Sequence, residues 1–161
     1  MTALSPASAA PPHTLEEDFR LLKTAVEDAG KLAHSYFRQD LKVKRKHDGT
    51  EVSEADFAVD DLLKSALLGG RPNYGWLSEE TEDDPDRLEH RFVWMVDPID
   101  GTNAFLRHVP EWTISAALVQ EGKPVLGAVY NPATSEFFHA IRDGGAFLND
   151  ATARYPAVVL G

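Results

Sequence analysis

Residues 112–141 read WTISAALVQEGKPVLGAVYNPATSEFFHAI, and their pattern decides the fold. Residues 112–120, 125–130 and 137–141 are short runs rich in β-branched and aromatic side chains. EGKP at 121–124 and NPAT at 131–134 separate them. Turns this short favour antiparallel neighbours, so the segment predicts a meander. Upstream, residues 74–77 and 92–96 are two further extended runs, parted by the acidic, proline-containing loop 81–86. Further upstream the period becomes helical. Thr14 and Glu17 have capping-box spacing, and Leu15, Phe19, Leu22, Val26, Ala29, Ala33 and Tyr36 recur every three or four residues, predicting a long helix that ends near Arg38. Residues 41–46 alternate apolar and basic into Asp48-Gly49, a short strand and a turn. Ser53 reads as the N-cap of a second helix with the stripe Ala55, Val59, Leu62, Leu63 and Ala66, stopped by Gly69, Gly70 and Pro72. Two helices followed by about five strands is an α+β order, not the alternation of a doubly wound sheet. The expected domain spans 14–150, with 1–13 as a disordered Ala/Ser/Pro tail and 151–161 as a separate C-terminal segment.

Composition narrows the function classes. A chain of 161 residues with 43% apolar side chains suits one domain with a real core. Against 26 acidic residues stand 16 basic ones, a net charge of -10 that argues against a nucleic acid polymer or an anionic membrane as partner. The absence of cysteine excludes disulfides, thiolate nucleophiles and zinc ribbons. No apolar run approaches a membrane span, and residues 1–12 lack the basic and apolar regions of a secretion signal, which gives a cytoplasmic expectation.

The densest chemistry lies in WMVDPIDGT, residues 94–102, where an apolar strand runs into two carboxylates three residues apart. Pro98 restricts its neighbour and predicts a turn, and Gly101 permits an unusual backbone. Two carboxylates and a carbonyl facing one point are oxygen donors of the kind magnesium or calcium takes. Residues 101–105 are expected to open a short helix whose amides face an anion. The same residues also read as a capped turn, since Asp and Gly are ordinary turn formers. Spacing removes other chemistries. An aspartyl nucleophile of the Asp-x-Asp type needs carboxylates two apart, and the EF-hand, Gly-x-Ser-x-Gly and P-loop patterns are absent. The six histidines form no His-x-x-x-His pair. A second acidic pair, Glu79-Glu80, follows its own apolar run at Gly75-Trp76-Leu77.

SEET at 78–81 followed by DPIDGT at 97–102, with Phe105 beyond, resembles the inositol monophosphatase family of magnesium-dependent, lithium-sensitive phosphatases. That family includes bacterial 3′(2′),5′-bisphosphate nucleotidases. Lys46, VSEAD at 52–56, GAVYNP at 127–132 and GGAFLN at 144–149 extend the likeness over roughly 15–149. The resemblance implies the N-terminal half of an αβαβα sandwich and two or three magnesium sites. Glu79, Asp97 and the Ile99 carbonyl would hold the first ion, and Asp97 with Asp100 would contribute to a second. The amides of Gly101 and Thr102 would bind phosphate. Asp56 would accept the Thr102 hydroxyl proton, and Thr102 with Glu79 would orient water. Glu80 would sit further out, and Lys46 reads either as a phosphate neighbour or as a solvated strand lysine. Asp56 by itself also reads as an ordinary carboxylate at a helix start.

The implied reaction is hydrolysis of a small phosphomonoester by metal-activated water, without a covalent intermediate. Inositol monophosphates and 3′(2′),5′-bisphosphate nucleotides are the candidate substrates. WLSEE at 76–80 and PEWTIS at 110–115 lean towards the nucleotidases, although Trp112 beside a β-branched run also reads as core. Nothing after Asn149 resembles the second half of the family, with its Trp-Asp motif. Three readings therefore stand: a phosphatase, a metal- and phosphate-binding fragment with impaired turnover, or a non-catalytic oligomeric protein. A homodimer is compatible with each.

Overall fold

The Thr14 hydroxyl accepts from the Glu17 amide at 3.1 Å and starts helix α1, Leu15–Tyr36. Glu16, Glu17 and Asp18 occupy its first turn, where carboxylates oppose the helix dipole favourably. A hairpin follows, of β1 (Val43–Arg45) and β2 (Glu51–Ser53). The second of these strands is absent from the sequence expectation. Its turn is fixed by Asp48, whose Oδ1 accepts from both the amide and the hydroxyl of Thr50. Helix α2, Glu54–Gly70, then packs beside α1 on the main sheet. These coordinates are a computed structural model that describes residues 11–152. The expected tail, apart from its last residues, and nearly all of the expected C-terminal segment lie outside the described residues.

The main sheet has seven strands in sequence order: β3 (Gly75–Ser78), β4 (Phe92–Asp100), β5 (Thr113–Gln120), β6 (Lys123–Asn131), β7 (Glu136–Ile141), β8 (Gly145–Leu148) and β9 (Ala151–Thr152). From β4 onward every pairing is antiparallel, as the short turns require. Both helices lie on one face, where Leu22, Val26, Val59 and Leu63 meet Trp94, Ile114 and Leu118, all fully buried. Trp112 belongs to this core, 4.8 Å edge-on from Phe105 and 5.3 Å from Phe37 between ring centroids. Among the described residues no helix is long and apolar enough to cross a membrane.

Two features depart from the sequence expectation, and both shape the site. First, β3 and β4 run parallel. A 3-10 turn at Pro85–Glu89 lets the intervening loop carry the chain back to the starting end of the sheet. Second, the chain does not turn at Pro98. Strand β4 continues to Asp100 through a register shift, in which Asp97 pairs with Ser115 and Asp100 with Thr113. Three steps on one strand oppose two on the other, so one residue is extra. Proline lacks the N–H a regular ladder would need, and a bulge is where a strand tolerates that loss.

Candidate active site

Parallel pairing determines which carboxylates meet. Ser78 registers with Val96, and the Glu79 amide donates to the Val96 carbonyl at 3.2 Å. Glu79, just past the end of β3, and Asp97, which follows Val96 within β4, therefore lie side by side. An antiparallel pair would have sent Glu79 to the opposite end of β4. The bulge then carries Ile99 into the core, while Asp100 lies exposed beyond it. Gly101 takes a left-handed conformation (φ 88°, ψ 40°) and turns the chain into the short helix α3, Thr102–Leu106. Among the supports of that turn, the Phe105 amide donates to the Gly101 carbonyl at 3.0 Å.

Helix α2 supplies the fully buried Asp56. Its Oδ2 accepts from the Ser53 amide at 2.9 Å and from the Ser53 hydroxyl at 2.7 Å, and its Oδ1 accepts from the Thr102 hydroxyl at 2.9 Å. Asp56 thus closes the helix start and is hydrogen-bonded to Thr102. The Thr102 hydroxyl also lies 3.1 Å from the Ile99 carbonyl.

These residues surround a cavity of about 280 Å³ lined by Lys46, Glu79, Glu80, Asp97, Ile99, Gly101 and Thr102, together with Thr50, Glu51 and Asn103. The last three were not singled out from the sequence. Lys46 is not a solvated strand lysine. Its Nζ lies 2.9 Å from Glu80 Oε1 and donates to the Glu79 carbonyl at 3.4 Å. Partial burial works against its charge, but the hydrogen bond and charge of Glu80, with Asp56 and Glu79 nearby, raise its pKa. Asp100 does not line this cavity, although its charge reaches Asp97. A larger trough of about 590 Å³ on the helix-free face of the sheet shares Glu79 and Asp97 with the site.

Burial and crowding perturb the carboxylates of the site. Burial, followed by the charges of Asp100, Glu79, Glu80 and Asp56, pushes the Asp97 carboxyl up to about 7. Glu80 is raised as well, because burial outweighs the help of Lys46. The Glu80 side chain is only 6% exposed, and its Oε2 is buried without a hydrogen-bond partner. Crowded, desolvated carboxylates with an orphaned oxygen form a donor set suited to a hard divalent cation. Among the described residues no three acidic or histidine side chains already converge as a closed metal cluster. The oxygen donors suit a hard divalent cation in chemistry.

Sequence reading also missed Asp60, one helical turn beyond Asp56 and 4% exposed. Two acids four apart, flanking the stripe of Ala55, Val59 and Leu63, were the available signal, because a charged residue at the edge of a buried face requires a partner.

Residues 14–159 match the family model of the inositol monophosphatase family, ten residues beyond the stretch where motifs alone carry the likeness. The chain is 40% identical over 140 residues to an inositol-1-monophosphatase of Mesorhizobium japonicum, covering 83% of this chain and 52% of that protein. It is 37% identical over 142 residues to a histidinol-phosphatase of Chlorobaculum parvum, covering 88% and 54%. A solved structure of an IMPase/NADP phosphatase complexed with NADP and calcium superimposes with a TM-score of 0.79 at 25% identity, over 88% of this chain and 54% of that one. The chain thus spans about half the length of these relatives. Over that half, the match in sequence and in fold places it in the inositol monophosphatase family.

Proposed function

We propose that the chain carries the metal- and phosphate-binding half of a magnesium-dependent phosphomonoesterase. The observation that carries this reading is the convergence of Glu79 and Asp97 on one cavity, backed by the Asp56–Thr102 hydrogen bond. Glu79, Asp97 and the Ile99 carbonyl would hold the first cation, with Asp100 reaching a second from the rim. Bound there, a divalent cation supplies charge neutralisation at the phosphoryl oxygens and acidity for water. The protein's own groups do the rest. Asp56, fixed by two bonds from Ser53, accepts the Thr102 proton and leaves the Thr102 oxygen free to accept from the attacking water. Glu79 takes the other hydrogen bond of that water, which places it for in-line attack. The amides of Gly101 and Thr102 receive the phosphate, and Lys46 adds a positive charge at the edge. No nucleophilic side chain is needed.

The substrate class is a small phosphomonoester. Relatives named inositol-1-monophosphatase, histidinol-phosphatase and 3′(2′),5′-bisphosphate nucleotidase all match, at 40%, 37% and 31% identity, so the bisphosphate nucleotide stays a candidate beside the others. A second reading, cation and phosphate binding with little turnover, is favoured by one observation: Asp100 lies exposed outside the cavity, so the second ion has few donors within this chain. Phosphate release from inositol 1-phosphate, 3′-phosphoadenosine 5′-phosphate and fructose 1,6-bisphosphate, with and without magnesium and lithium, tests both. Magnesium-dependent release that Asp97→Asn abolishes supports the phosphatase. Magnesium binding without release above a Glu79→Gln control supports the second reading, and absence of binding overturns both.

A further inference from the structure

Glu79 and Glu80 lie on a bend just past the end of β3, where no ladder hydrogen bonds hold the far side of the chain. The residues on either side of the pair are Ser78 and Thr81. Both hydroxyls donate to a single buried carboxylate, Ser78 Oγ to Asp60 Oδ1 and Thr81 Oγ1 to Asp60 Oδ2. The two hydroxyls are themselves occupied as acceptors. Ser78 Oγ takes the Glu80 amide at 3.2 Å, and Thr81 Oγ1 takes the indole N–H of Trp76 at 3.2 Å. Asp60 thus closes a staple around the two glutamates, with one oxygen on each side. It projects from α2 one turn after Asp56, which holds Thr102 in the same way. Two carboxylates at a fixed helical spacing therefore tie the Glu79–Glu80 bend and the Asp100–Thr102 turn to one rigid element.

We infer that Asp60 is a positioning residue for metal binding: it fixes the Ser78–Thr81 bend so that the Glu79 carboxylate is held facing Asp97. This rests on the cation-binding reading of the cavity. A buried acid that served only the fold would satisfy whatever donors lay nearby. Asp60 instead engages the two hydroxyls that bracket the site glutamates. Both of its oxygens are needed, because a neutral amide accepts through one atom only.

The test is magnesium binding by calorimetry on the full chain, well below its melting temperature, beside a thermal melt without metal. Asp60→Asn should weaken magnesium binding about tenfold, the lower end of what loss of an outer support for a metal ligand does. The Ser78→Ala/Thr81→Val double variant removes the same staple from the other side and should weaken binding similarly. Combining all three changes should add no more than about twofold, because the residues act as one unit. Wild-type affinity in Asp60→Asn, or losses that simply add, would overturn the role of Asp60 while leaving the cation site standing. Should Asp60→Asn not fold, the hydroxyl double variant carries the test, and wild-type affinity there overturns the proposal. Absence of a saturable isotherm in the wild-type chain would instead remove the cation reading, and the positioning role with it.

Discussion

Gly101 offers a test of how tightly the site is built, because two penalties fall on the same atom. Its φ of 88° is left-handed, which costs an alanine about 1–2 kcal/mol. A Cβ there would also lie 2.9 Å from the Glu111 carbonyl oxygen and 3.4 Å from the Trp112 Cα, both backbone atoms. Those atoms lead into β5 and next to the buried Trp112, so they have little room to move, and a forced overlap of this kind costs a further 1–3 kcal/mol or thereabouts. Against both stands the reduced freedom of the unfolded alanine chain, about 0.4–1 kcal/mol in favour of folding. The net loss expected for Gly101→Ala is about 2–4 kcal/mol. Gly49 supplies the control: its φ is 84°, and a Cβ there meets nothing within 4 Å. Gly49→Ala should therefore lose only the strain less the entropy gain, about 0.5–1 kcal/mol. Urea unfolding of both variants, compared at unchanged slope, separates the terms. A Gly101→Ala loss no larger than that of Gly49→Ala would refute the close approach of the DPIDGT turn to residues 111 and 112.

Three further outcomes are expected. Arg71→Ala strips the partner from Asp18, a 2.6 Å ion pair buried between α1 and the end of α2, and should destabilise by about 3–5 kcal/mol; Tyr74→Phe, which removes a 2.8 Å bond to the same carboxylate, should cost about 1 kcal/mol. Neither change should alter magnesium affinity in calorimetry. Asp97, held at about 7 by burial and neighbouring carboxylates against about 3.9 unfolded, binds more protons folded than unfolded between those values. Metal-free stability should accordingly fall as pH rises from about 4 to 7, by about 1–2 kcal/mol after allowing for solvent screening at this half-exposed group; Asp97→Asn should flatten the profile, and magnesium should restore wild-type stability at pH 8. Asp56→Asn should cut magnesium-dependent phosphate release by about a hundredfold or more while leaving magnesium affinity within about threefold, because Asp56 acts through the Thr102 hydroxyl.

Local signals made most of the elements legible. The three and four spacing of α1, the Ser53 start of α2 and the short turns at 121–124 and 131–134 each report a period or a cap that the fold obeys. The parallel pairing of β3 with β4 was not legible, because a loop containing a 3-10 turn leaves no periodic trace and direction is decided by where the loop returns. Strand β2 was hidden by its three-residue length, and Pro98 read as a turn because a bulge can be recognised only once its partner strand is known. Among the candidate site residues, Asp97 and Thr102 were legible because they sit in a dense motif, and Glu79 because it belongs to a second acidic pair. Asp60 was missed because its significance depends on hydroxyls 18 and 21 residues away along the chain.

Several departures from local rules meet at the site. Asp56 is a charged residue at full burial, Asp97 ionises against its neighbours, Pro98 interrupts a ladder and Gly101 is left-handed. Leu22, Val26, Trp94, Ile114 and Leu118 pack in the apolar core, and the fully buried carboxylate of Asp18 is paired with Arg71. Departures from local consistency are expected where function demands them, which agrees with this placement of the site. The physical cost also explains the architecture around it. Like charges this close push the bend at Glu79 and the turn at Asp100 apart when no cation neutralises them. The β3–β4 ladder and α2 both resist that force, α2 through Asp56 bonded to Thr102 and Asp60 to Ser78 and Thr81. The core that anchors α2 through Val59, Leu63 and Leu67 therefore stabilises the fold and also holds the site carboxylates together against their own repulsion.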